Sequence, residues 1–365
     1  MKRILSISLA VVLAVGVGVA VARSVQQRTS RAEPAALATV RGLIGSEKQP
    51  FFADPAVAGA FARHGLRLQV DEAGSRRIAL SDLSHYDFAF PAGVPAAVKI
   101  QRDHKVSRVY QPFYTPMTVA TFKPIAALLQ KAGVMSQLAG GYWRFDLKGY
   151  LDLVARGARW VDLPGNTAYP AKKSVLISST DVRTSNSAAM YLAVASYVLN
   201  GDNVVENAVQ GDRLAGKVAP LFLRQGFVEG STEEPFEDYL AIGMGKTPLV
   251  MCYESQFLSR AAAHDRSITK DMVLAYPDPT VYSKHTLVPL GSAGDTVGRL
   301  LTTDTELKRL EVVHGFRTAD TATMQSYLAQ QGVPAPPSLV DVIEPPTYEA
   351  LEHLITQIEK RYQSS

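Results

Sequence analysis

Cysteine is almost missing from this chain of 365 residues: Cys252 stands alone, inside the apolar run LVMCY. No disulfide framework or CxxC metal site can be built, and a small buried hydrophobe is the expected state of that thiol. The seven histidines are spread singly, without the spacing that metal ligands need, and His285 and His314 read as structural. There is no GxSxG elbow, no HExxH, no GxxxxGKS/T loop and no GxGxxG after a strand. Neither a cofactor nor an enzymatic activity is expected. Charge of one sign is also lacking, because 38 Lys and Arg face 34 Asp and Glu for a formal +4, scattered along the chain. With aromatics that form no stacking platform, this argues against nucleic acid as a partner.

What is present is ordinary globular material, 47% hydrophobic and 20% charged, enough for two lobes of domain size. The N-terminus carries the clearest address. Lys2 and Arg3 precede an apolar run over residues 4–22 that ends in Ala20, Val21 and Ala22, a small-x-small pattern suited to signal peptidase. The same nineteen residues approach the length that spans a bilayer, so residues 1–22 are read as a signal peptide or a membrane anchor, and 23–37 as a polar tether. No cysteine follows the run, which excludes a lipoprotein anchor. The bulk of the chain is expected outside the membrane, periplasmic or extracellular.

Strands and helices alternate through the body. A first strand ends at Gly45, Asp54 and Pro55 open a helix that Gly65 stops, and Leu66, Leu68 and Val70 alternate with polar residues as a second strand. A strand near residues 86–93 and a helix behind it follow, and such alternation predicts a mostly parallel sheet. Pro112, Pro116 and Pro124 argue against one continuous central strand there and for a chain passing between sheets. A buried strand is expected over 174–178 and a helix over 190–199. Further strands fall at 249–253, 272–276 and 285–290, and helices at 295–301 and 306–313. A proline-bounded linker precedes a last amphipathic helix with Leu351, Leu354, Ile355 and Ile358 on one face.

Four polar clusters fall where an apolar strand ends: residues 46–48, 74–77, 180–187 and 253–256. Ligands of open α/β sheets bind beyond the carboxyl ends of the strands, so position rather than residue type marks these loops. Ser185, Asn186 and Ser187 also sit at a helix N-terminus, where one residue would cap the helix and three exceed that need. The acidic patch around Pro235 reads as a solvated helix start.

The export signal, the strands ending in small polar loops, the Thr115-Pro116 crossing, the TSNSAAMYLA segment and the PLVMCYESQF return crossing together resemble bacterial extracellular solute-binding proteins of type II periplasmic-binding-protein fold, in the molybdate/sulfate-binding-like group. The resemblance spans residues 38–317. It implies an α/β architecture of two Rossmann-like lobes joined by two crossover strands, with 38–114 plus 257–317 as lobe one, 115–256 as lobe two and 318–365 as a C-terminal linker and helix. It also implies a small-molecule or oxyanion ligand between the lobes, and an ABC permease or other membrane protein as partner. Ser46, Ser75 and Arg76 would face the ligand from lobe one, and Ser185, Asn186 and Ser187 from lobe two. Thr115 would form the first hinge and Tyr253 with Glu254 the return hinge. Glu47 and Glu254 beside the cleft would repel an oxyanion, so a zwitterionic or neutral polar ligand fits the mixture as well. The rival expectation is a membrane-anchored sensor or envelope interaction protein on the same fold. A hydrolase using a serine of 185–187 would need a base that lies elsewhere in the chain.

Overall fold

The computed structural model describes residues 36–225 and 233–363. The apolar run at 4–22 and most of the tether therefore lie outside the described residues. Among those described, no helix is long and apolar enough to cross a membrane. Eleven strands are described: β1 (Ala38–Ile44), β2 (Leu66–Glu72), β3 (Phe88–Phe90), β4 (Tyr114–Phe122), β5 (Met135–Gln137), β6 (Trp143–Asp146), β7 (Leu249–Tyr253), β8 (Met272–Asp278), β9 (Thr280–Lys284), β10 (Val288–Pro289) and β11 (Val342–Ile343).

The smaller sheet has the order β10-β3-β1-β2, with β1 parallel to both neighbours and β10 antiparallel at the edge. Period-two alternation divides its side chains between two cores. Val40, Ile44, Phe88 and Phe90 pack with Phe61, Val297, Leu301 and Leu310 on one face. Leu43 and Ala89 pack with Ile78, Ala97 and Ile100 on the other. Helices thus cover both faces, as a mostly parallel sheet requires. Asp54 caps the Pro55–Arg63 helix by accepting the Ala56 N–H at 2.7 Å, the start expected from the Asp-Pro pair.

The larger sheet runs β11-β9-β4-β8-β6-β5, with β7 also paired to β4. It is mixed rather than mostly parallel: β4 is antiparallel to β7, β8 and β9, while β6 is parallel to β8. Contrary to the expectation from its prolines, β4 is a buried central strand that contains Pro116. Pro116 is tolerated because it pairs with Tyr282 one residue before the β7 ladder begins at Met117, so on that side no partner asks for its missing N–H. Residues 174–178, expected as a strand, make only two isolated bridges, Ser174 to Arg159 and Ser178 to Val250. Above this sheet lies the Asn186–Leu199 helix, buried from Ser187 to Ser196, so it has no solvated face over those turns.

The crossings also differ from expectation. β7 stays in the larger sheet, and so do β8 and β9, which had been expected with the smaller one. The chain enters the larger sheet through β4 and returns from β9 into β10, and Tyr114–Pro116 lie antiparallel against Tyr282–Lys284. Arg317 adds a third pass, bridged to Tyr114. Within the proline-bounded linker, β11 pairs in parallel with β9. The last helix, Tyr348–Tyr362, buries Leu351, Leu354, Ile355 and Ile358 in the core of the larger lobe. It touches both lobes: Glu352 accepts from Arg76 Nε at 2.8 Å, and His353 Nε2 lies 2.8 Å from Asp212 Oδ1.

Candidate functional site

The ends of β1, β2 and β7 meet the N-terminus of the Asn186–Leu199 helix around a cavity of about 390 Å3. That volume falls in the range of small-molecule sites. Ser46, Glu47, Glu72, Gly74, Ser75 and Arg77 wall it from the smaller lobe, and Asp181, Thr184, Ser185, Asn186, Glu234 and Tyr253 from the larger. The walls approach closely. A Cβ on Gly74 would meet the Thr184 carbonyl oxygen at 2.2 Å, and one on Gly93 would meet Asn186 Oδ1 at 2.5 Å. Glycine at these two positions is what lets one lobe's backbone close on the other.

The donors are held by local bonds. Ser75 Oγ accepts the Ala92 N–H at 2.8 Å. Asn186 Nδ2 donates to Tyr253 OH at 3.0 Å and to Ser283 Oγ at 3.2 Å, which ties a helix start in the larger lobe to β9. Ser283 Oγ in turn donates to the Ala92 carbonyl at 2.5 Å, so Ser75, Ala92, Ser283 and Asn186 form one chain of bonds across the lobe boundary. Ser185 is the N-cap residue but makes no side-chain cap bond; its Oγ lies 3.0 Å from Ser187 Oγ. The positive end of that helix therefore faces the cavity.

Beneath Ser46 lies a buried charged cluster. Lys48 Nζ bonds Glu47 Oε1, stands 3.1 Å from His285 Nδ1 and lies over the Phe90 ring. Burial would raise the Glu47 carboxyl, but Lys48 and His285 outweigh it and hold the group down at about 2. Burial, then Lys48, pushes His285 down to about 4, so its imidazole is neutral near pH 7. Burial and then Glu47 raise the nearby Glu72 carboxyl.

Of the ten residues expected to bind, Ser46, Glu47, Ser75, Ser185, Asn186 and Tyr253 line this cavity. Four do not. Arg76 turns away to Glu352 and to the Arg183 carbonyl at 2.7 Å. Thr115 is buried in β4, where its Oγ1 accepts the Ser255 N–H at 3.1 Å. Ser187 is buried against Ser185 and Thr180. Glu254 is closed off by Arg317 at 2.6 and 2.8 Å and by Tyr276 OH at 2.7 Å. Residues missed from the sequence include Glu72, Arg77 and Glu234. The first two lie at the strand-end loop already marked by Ser75, and Glu234 had been read as part of a solvated helix start. A second cavity, about 440 Å3, lies wholly within the larger lobe against Trp160, Ser179 and Arg224, and none of the expected residues reaches it.

No family model matches this chain, and no curated protein does. Among solved structures it is similar to the sulfate-binding protein SubI from Mycobacterium tuberculosis H37Rv, with a TM-score of 0.50 at 15% identity over 88% of this chain and 98% of that one. The periplasmic binding protein AfuA from Actinobacillus pleuropneumoniae, with fructose-6-phosphate bound, gives 0.53 at 10% identity over 89% and 96%. This is the type II periplasmic-binding-protein fold. An ABC transporter from Clostridium perfringens has the same fold, at a TM-score of 0.50, 9% identity and coverage of 89% and 99%. Identities this low speak for the periplasmic-binding-protein fold, while the cavity has to be read from its own residues.

Proposed function

We propose that this chain is an exported solute-binding protein that captures a small polar ligand between its lobes and delivers it to an ABC-type permease. The observation that carries this reading is the interlobe cavity, walled by Ser46 and Ser75 on one side and by Ser185 and Asn186 on the other. A ligand touching both walls favours the closed arrangement by the affinity it would lack in an open one. The side-by-side crossovers of β4 and β9 are the natural hinge, with Thr115 opposite Ser283 in the register. Export rests on the apolar run at residues 4–22. SubI, AfuA and the ABC transporter from Clostridium perfringens support the transport role by their names.

Thermal-shift screening of the full chain against oxyanions, amino acids, peptides, sugars and sugar phosphates tests the reading. A ligand at a hundredfold its Kd adds about 2.7 kcal/mol to the folded state. Stabilisation by at least one class, reduced in Asn186→Ala, is the expected result. No stabilisation by any class overturns it.

One observation favours the sensor reading: the Tyr348–Tyr362 helix holds both lobes, bonding Arg76 in one and His353 to Asp212 in the other. Such a brace opposes the opening that rapid solute exchange needs. Ligand off-rates separate the two readings, fast release fitting delivery and slow release fitting a sensor. A hydrolase reading is not favoured by the bonds made at the serines. Ser185 and Ser187 hydroxyls bond each other, and the buried His285 Nδ1 faces Lys48 and Glu47.

A further inference from the structure

We propose that the interlobe cavity takes a zwitterionic amino-carboxylate, whose ammonium donates to Glu47 Oε2 and Glu72 while its carboxylate is held by Arg77 and the N-terminus of the Asn186–Leu199 helix. This rests on the solute-binding reading and names the ligand class that the reading leaves open.

The first observation is an unfinished carboxylate. Glu47 is nine-tenths buried and lines the cavity. Its Oε1 takes the Lys48 bond and lies 3.4 Å from His285 Nδ1, whereas Oε2 has no donor among the described residues. That oxygen is not one of the fully buried atoms lacking a partner, so its free lone pairs open towards the cavity, where a charged N–H donor can bond an ionised carboxylate that burial has largely removed from water. The second observation is a neighbouring carboxylate. Glu72 ends β2 in register with Ile44, two residues before Ser46, and lines the same cavity as Glu47; partial burial and then the Glu47 charge raise its carboxyl. Two carboxylates that repel each other across one space favour a cation between them.

The third observation is an unspent cation. Arg77 lines the same cavity, and its guanidinium has no ion pair or hydrogen bond among the described residues. By contrast Asp181, the other acidic residue of the larger-lobe loop, is consumed by Arg183 through its Nε at 2.9 and 3.0 Å. The cavity therefore offers an open acidic end and an open basic end. A sulfate- or molybdate-like dianion would bring two charges to a space bordered by Glu47, Glu72 and Glu234 with Arg77 as the only unpaired cation among its described lining residues. An amino-carboxylate satisfies both ends in one molecule.

Calorimetric titration of the full chain tests this with free α-amino acids, their N-acetyl and amide derivatives, short peptides, putrescine, sulfate, molybdate and fructose 6-phosphate. At least one free amino acid is expected to bind. N-acetylation, which removes the ammonium, and amidation, which removes the carboxylate, should each weaken it tenfold or more. Glu47→Gln should weaken the free amino acid about tenfold, and Arg77→Ala should weaken the free acid but leave the amide unchanged. If Glu47→Gln fails to fold because Lys48 loses its partner, Glu72→Gln on the exposed strand end is expected to cost several-fold. Equal binding of the N-acetyl or amide forms overturns the proposal. So does binding of putrescine, an oxyanion or a sugar phosphate in place of amino acids, although solute binding would then stand. Binding by nothing in this panel overturns the proposal, and the broader screen above then decides whether solute binding falls with it.

Discussion

Glu47 and Glu254 invite comparison, since both are buried glutamates in the polar segment that follows a strand, Glu47 three positions after β1 and Glu254 directly after β7, and both were expected beside the ligand. Their surroundings differ in one respect. Every oxygen of Glu254 is taken, Oε2 by Arg317 Nε and Oε1 by Arg317 Nη2 and Tyr276 OH, and Arg317 spends further N–H groups on the carbonyls of Pro336 and Pro337. Glu47 shares its Oε1 between Lys48 and His285 and keeps Oε2 open beside the cavity. A closed ion pair pins the C-terminal linker to β7 and β8. An open one leaves room for a ligand. The comparison teaches that satisfaction of the oxygens, rather than burial or position after a strand, separates a structural carboxylate from a binding one.

The largest expected effect comes from breaking the closed pair. Arg317→Met strands Glu254 in a dry site, and chemical denaturation should show a loss of about 3–5 kcal/mol. Ligand affinity of the folded fraction should change little, and a large change there would mean that Glu254 reaches the cavity after all.

Next in size is a variant that keeps both pairs and blocks the space between the lobes. Gly74→Ala drives a Cβ into the Thr184 carbonyl, which is backbone and cannot swing aside. Ligand affinity should fall at least tenfold, with a larger radius of gyration in solution scattering and little loss of secondary structure. Unchanged scattering and affinity would show that closure does not require this contact.

Acid should act on the open cluster. His285 is held at about 4 in the fold against an ordinary 6.5, so the unfolded chain binds its proton first and stability falls as pH drops from about 6.5 to 4. Glu47, held at about 2 against 4.5, adds a second loss as pH drops from about 4.5 towards 2. His285→Phe, surrounded by Phe90, Phe113 and Phe316, should remove the first window and leave the second. Unfolding midpoints measured across pH 3–7 check this, and an unaltered slope between 4 and 6.5 would rule His285 out as its source.

Glu311 sharpens the contrast from a third side, as a buried carboxyl whose two oxygens have no hydrogen-bond partner among the described residues. Burial raises it well above the ordinary carboxyl, so its neutral form belongs to the fold and stability falls as pH rises past about 4.5. Glu311→Gln should flatten that alkaline decline. The smallest effect is expected at the half-buried Arg76–Glu352 pair, where Glu352→Ala should cost below about 1 kcal/mol yet speed ligand release by loosening the C-terminal brace.

Much of the frame was legible in the sequence. Apolar periodicity marked β1, β2, β3 and β7, the Asp-Pro and Gly signals bounded the Pro55–Arg63 helix, and the face of Leu351, Leu354, Ile355 and Ile358 is buried as its spacing implied. Ser46, Ser75, Ser185 and Asn186 were recognisable because strand ends converge in this kind of fold. Pro116 was misread, since whether a strand tolerates proline depends on which neighbour faces its nitrogen, and that register is not local. Arg77 lay inside the marked 74–77 cluster and Glu72 just before it, yet neither was singled out, because nothing in their own stretch records the opposite wall.

By itself the sequence determined the opening strand–helix–strand order, the polar character of the strand-end loops and the shortage of catalytic and metal-binding patterns, all of which depend on residues within a few turns of one another. Only the tertiary structure decided that Arg317 would cross 63 positions to close Glu254 while Glu47 stayed half satisfied beside Arg77. Pairing of charges is a matter of distance in space and of what excludes water, and neither is written in the spacing of residues along the chain.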